Sequence, residues 1–94
     1  KFDDLEISDI EDIFKNEKIS EVDVNNNIVD LLIKMKIASS KRESREFISG
    51  NAISINGNKV NDLELIIDES YFLHKKYIII RRGKKNYYIG KKAN

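Results

Sequence analysis

The chain has 94 residues, 35% charged and 40% hydrophobic, which suits one small folded domain and excludes a disordered chain. It holds no cysteine, which rules out a disulfide framework or thiolate metal site and agrees with a cytoplasmic setting. Its net charge of +1 hides a division: residues 1–30 carry three lysines against ten acids, whereas all eight charged residues from Lys75 onward are basic.

Residues 1–24 read as an acidic leader, set apart from a domain of residues 25–94. Leu5, Ile7, Ile10, Ile13 and Phe14 supply its apolar positions, and Ser8 with Glu11 predicts a capping box for a helix of about 9–16. Glu17 to Asn27 has no periodicity and is expected to be a connector. Ile28, Leu31, Leu32 and Met35 then fall at i, i+3, i+4 and i+7, the apolar stripe of a helix. Ser40 and Glu43 form a second capping box, opening a helix that runs to Ser49 and stops at Gly50. Phe47, Ile48 and Ser44 are its expected buried side. Arg42 and Arg45 share another face one turn apart, where Glu46 offers Arg42 an ordinary ion pair.

After Gly50 the period changes to two. Ile53-Ser54-Ile55, Asn56-Gly57 and the return through Lys59-Val60 predict a hairpin. Leu63 to Ile67 adds apolar residues for the core. Tyr77-Ile78-Ile79-Ile80 and Tyr87-Tyr88-Ile89 flank Arg81-Arg82-Gly83-Lys84-Lys85 and predict a second hairpin turning at Gly83. The expected fold class is α+β: two packed helices followed by a small, mostly antiparallel sheet, with a short helical leader.

That second hairpin concentrates Arg81, Arg82, Lys84 and Lys85, and like charges held together call for an anionic partner; RNA or DNA phosphate is the leading one. Tyr87 and Tyr88 point to opposite faces of their strand, so one belongs to the core while the other is placed to stack on a base or ribose. Lys75, Lys76, Lys91 and Lys92 read as an ordinary defence of strand edges. One histidine, His74, without cysteine gives no zinc site, and no glycine has phosphate-loop or dinucleotide spacing. The acid pairs of the leader read as solvated helix charges rather than as a general acid and base. No apolar stretch approaches the roughly 20 residues of a membrane-spanning helix. No signal peptide opens the chain, and its start at Lys1 suggests a segment of something longer.

The stretch from Ser39-Ser40-Lys41-Arg42-Glu43-Ser44-Arg45-Glu46 through Gly50 to Ile53-Ser54-Ile55-Asn56-Gly57-Asn58-Lys59-Val60 resembles the alpha-L RNA-binding motif of a small-subunit ribosomal protein. With Ile80-Arg81-Arg82-Gly83-Lys84-Lys85-Asn86-Tyr87-Tyr88, residues of about 24–92 resemble the C-terminal domain of bacterial tyrosyl-tRNA synthetases. Ser44 stands where alanine is common in that family.

The resemblance implies a domain that grips tyrosine tRNA between its long variable arm and anticodon stem, so that a separate catalytic domain aminoacylates it. Arg42, Arg45, Arg81, Arg82, Lys84 and Lys85 are the implied RNA contacts, with Lys41 and Tyr87 as further candidates. No catalytic residue, metal or cofactor is expected in this segment; ATP and Mg belong to the parent's catalytic domain. The implied partners are tyrosine tRNA and the catalytic and anticodon-binding regions of the parent, which is expected to be a homodimer although the segment itself is a monomer. Two other readings stand beside this one. One is the RNA-binding module of a pseudouridine synthase or RNA methyltransferase, and the other is a protein–protein module.

Overall fold

The structure is a computed structural model that describes residues 6–15 and 19–93. In chain order its elements are α1 (Ile7–Ile13), β1 (Ile19–Val22), β2 (Asn26–Asn27), α2 (Ile28–Lys34), α3 (Lys41–Ser49), β3 (Ile53–Ile55), β4 (Asn58–Val60), β5 (Ile66–Ile67), a 3-10 turn (Glu69–Tyr71), β6 (Tyr77–Arg82) and β7 (Asn86–Lys92). Five strands form one sheet in the order β1-β7-β6-β3-β4, and β2 pairs with β5 in a small separate ribbon. All pairings in the main sheet are antiparallel except that of β1 with β7. The expected α+β architecture is present.

The helix pair forms for the reasons legible in its sequence. Asn27 caps α2 by accepting from the Val29 N–H at 2.8 Å. Ser40 caps α3 by accepting from the Glu43 N–H at 3.1 Å, while the Glu43 carboxylate reaches back to the Ser39 N–H at 2.8 Å. Gly50 closes α3 with φ −85°, so glycine's left-handed freedom goes unused there; Asn51 takes the left-handed conformation at φ 60° instead. Between the helices, Ser44 is fully buried and its hydroxyl donates to the Val29 carbonyl at 2.9 Å. A serine is tolerated in that core because its one polar atom is satisfied.

Residues facing the two sides of the sheet divide into two cores. Ile28, Leu31, Leu32 and Met35 of the α2 stripe pack with Ile48, Ile53, Ile55, Ile78 and Ile80, and Phe47 packs at the margin. On the opposite face, Tyr77, Ile79 and Ile89 pack with Ile10 and Phe14 from the α1 segment. Every residue from Tyr77 to Ile80 is therefore buried, alternately beneath α2–α3 and beneath α1.

Two expectations about the N-terminal residues are corrected. The connector expected over 17–27 contains β1, whose Val22 is completely buried in the larger core, and β2. α1 starts at Ile7 rather than at about 9, with Asp9 accepting from the Glu6 N–H at 3.1 Å. The acidic stretch thus contributes an edge strand and the cover of one sheet face. Leu5, Asn16, Glu17 and the side chains of Ile7 and Ile13 lie outside the described residues.

The first hairpin turns as expected. Asn56 and Gly57 both have positive φ, 50° and 90°, the pair of left-handed residues that a tight antiparallel turn requires. Asn56 also extends the sheet sideways. Its side chain accepts from the Ile79 N–H at 2.9 Å and donates to the Tyr71 carbonyl at 2.6 Å, fastening the turn to β6 and to the 3-10 segment.

Candidate nucleic-acid interface

Arg42, Arg45 and Lys41 all lie on α3 and are all exposed. Arg42 makes the ion pair its sequence offers, with Nε 3.7 Å from Glu46, yet its side chain stays 88% exposed. A pair that open contributes a few tenths of a kcal/mol, about 0.3–0.5 for this spacing, and leaves the guanidinium accessible.

The four charges of the second hairpin do not sit together at its turn. Lys84 and Lys85 occupy the turn and are exposed, with Gly83 before them at φ 71°. Arg81 and Arg82 are the last two residues of β6, half-buried, and project to opposite faces of the sheet. Cross-strand register shows the consequence: Arg81 lies between Ser54 of β3 and Tyr87 of β7, on the face α1 partly covers. Its Nη2 reaches the Ser54 hydroxyl at 3.4 Å, and its buried Nε has no hydrogen bond to protein.

Arg82 turns toward the helices. Its Nη1 donates to the Ile37 carbonyl at 3.0 Å, in the link between α2 and α3. Its guanidinium lies 5.4 Å from the Phe47 ring of α3 and 5.7 Å from the Tyr88 ring of β7. Such contacts stabilise by roughly 0.5–1 kcal/mol each at partly exposed sites. The two tyrosines divide as their alternation requires: Tyr88 packs against the larger core, whereas Tyr87 is 39% exposed on the Arg81 face. Sequence reasoning missed the part played by Phe47 and Tyr88. Their position on the same side as Arg82 was available from strand alternation, but only once the sheet register was known.

Four other lysines, Lys34, Lys59, Lys76 and Lys92, are engaged in structure. Lys76 pairs with Glu11 at 3.5 Å and lies over the Tyr77 ring, and Lys92 pairs with Glu69. Glu11 also accepts from the Tyr77 hydroxyl at 2.8 Å; this bond, with Lys76 beside it, holds its carboxyl below the usual range. Burial, then the bond to Glu11, pushes the Tyr77 phenol up. The result is a charged fastening of α1 onto the sheet. Among the described residues no group of three or more His, Asp and Glu is placed to hold a metal ion, and no helix is long and apolar enough to cross a membrane.

The sequence profile of the family described as tyrosine–tRNA ligase SYY-like C-terminal domain matches residues 9–90. The chain belongs to the C-terminal domain family of tyrosine–tRNA ligases. It is 42% identical over 89 residues to tyrosine–tRNA ligase 1 of Enterococcus faecalis strain V583, covering 94% of this chain and 21% of that protein. It is 45% identical over 89 residues to the tyrosine–tRNA ligase of Ligilactobacillus salivarius, with the same coverage. The chain thus spans about a fifth of the length of these relatives. A solution structure of a tyrosyl-tRNA synthetase C-terminal domain superposes with a TM-score of 0.74 at 36% identity, covering 95% of this chain and 91% of that one. The tyrosine–tRNA ligase C-terminal domain fold is therefore the fold of this chain. Its matched region includes most of α1 and all of β1, so the acidic elements belong to the family's domain as well as to this structure.

Proposed function

We propose that this ligase C-terminal domain binds tyrosine tRNA between its long variable arm and anticodon stem, and presents it to the catalytic domain of a tyrosine–tRNA ligase. The observation that carries this reading is the placement of exposed cations on two rigid supports: Lys41, Arg42 and Arg45 on α3, and Lys84 and Lys85 at the turn beyond β6. Cations held on such supports suit recognition of RNA by shape and phosphate. Arg81 keeps donors to spare on the other sheet face, where its planar fork can take a phosphate oxygen, and Tyr87 beside it adds a ring for a sugar or base.

Catalysis, with its ATP and magnesium, is assigned to the rest of the ligase. Titrating the chain with tyrosine tRNA and with a variant lacking the long arm tests the reading. Clearly tighter binding of the intact tRNA supports it; equal affinity for the two contradicts it.

A further inference from the structure

We propose that Arg82 is a positioning residue that sets the angle between the two cationic supports. This rests on the reading that the domain binds tRNA. Its side chain touches three separate pieces of structure: the Ile37 carbonyl ahead of α3, the Phe47 ring within α3, and the Tyr88 ring on β7. One end of that span carries Lys41, Arg42 and Arg45; the other leads directly into Gly83, Lys84 and Lys85. The planar guanidinium lies near two rings and donates from its edge at once, a combination that a compact ammonium on a flexible stem reproduces less well. The adjacent Arg81 makes no comparable set of contacts. The Arg-Arg pair is thus divided, one arginine bracing the fold from within and the other directed to the opposite face.

The charge-conserving change Arg82→Lys separates bracing from direct phosphate contact. If Arg82 positions, Arg82→Lys and Arg82→Gln lose tyrosine tRNA affinity alike, by about tenfold, within the range of couplings between contacting residues. Removing Arg42 and Arg45 then costs less in the Arg82→Lys background than in the wild type, because their placement is already lost. In the wild-type chain, the Arg82 Nε–H nuclear magnetic resonance signal stays in place on tRNA addition while that of Arg81 moves. This last measurement needs no variant and decides the matter if Arg82→Lys fails to fold. Near-wild-type affinity of a folded Arg82→Lys, additive losses with Arg42 and Arg45, or an Arg82 Nε–H shift as large as that of Arg81 would each overturn the proposal. Failure of the binding reading is seen separately, as a wild-type chain that takes up no tRNA, and it removes this proposal as well.

Discussion

Gly90 sits on β7 in close packing with β6, β1 and the end of α2. A methyl group there would lie 3.0 Å from Ile78 Cγ2, 3.2 Å from Val22 Cγ2 and 3.3 Å from Met35 Cε. Two of those neighbours are fully buried strand residues, Ile78 on the central β6 and Val22 on the edge strand β1, with little room to retreat. Gly90→Ala is expected to destabilise the domain by about 1–3 kcal/mol, the usual cost of overpacking, as read by urea unfolding. Glu11 gives a second expectation at this scale. Its folded pKa is lowered by the Tyr77 hydroxyl and Lys76, so its contribution is present above the ordinary carboxylate pKa of about 4.3 and is lost as pH falls below it. Glu11→Gln should therefore flatten the acid limb of the stability profile; an unchanged limb would show that Glu11 does not fasten α1. Such partnerships were not readable beforehand. Glu11 and Tyr77 are 66 residues apart, and no periodicity announces a contact of that range.

Among the elements, local signals and the two expected hairpin pairings hold, and the long-range pairing of β1 does not appear in the sequence. The α2 stripe, the Ser40 cap and the Asn56-Gly57 turn are short-range features, and each appears where the sequence puts it. β1 was missed because an edge strand of four residues, Ile19-Ser20-Glu21-Val22, gains its identity from pairing with β7 far along the chain. A signal for the role of α1 was nonetheless present. A run as uniformly apolar as Tyr77-Ile78-Ile79-Ile80 means a strand covered on both faces, and α2–α3 can cover only one. Leu32 is completely buried beneath the larger cover, and Leu32→Ala should cost roughly 2–5 kcal/mol; an unchanged melting temperature would mean that α2 is rotated about its axis. The turn before β6 points the other way. His74 and Lys75 both adopt left-handed φ, 55° and 58°, with Leu73 and Tyr77 bridged around them. Lys75→Gly relieves a conformation that disfavours a side chain, and should raise stability by about 1 kcal/mol in thermal unfolding.

Across the whole molecule, charge differs from element to element. α1 holds Asp9, Glu11 and Asp12 without a cation, α3 mixes Lys41, Arg42 and Arg45 with Glu43 and Glu46, and the β6–β7 turn holds cations alone, so a net charge of +1 coexists with a local field at the turn suited to phosphate. The candidate residues were legible in sequence because charge runs are local, and strand alternation alone divides Arg81 from Arg82; which face each takes was not legible, because it depends on how the sheet packs against α1 and against α2–α3.

If α3 and the β6–β7 turn hold one RNA together, tyrosine tRNA binding weakens steeply as salt rises. Five phosphate contacts, from Arg42, Arg45, Arg81, Lys84 and Lys85, predict a slope of log affinity against log salt of about −3.5 to −4.5, at roughly −0.7 to −0.9 per neutralised phosphate. In the Arg42→Ala/Arg45→Ala double variant that slope should flatten by about 1.4 to 1.8 units with the fold intact. A slope and affinity unchanged in the double variant would mean that α3 takes no part in holding the RNA, leaving Arg42 as no more than the exposed partner of Glu46.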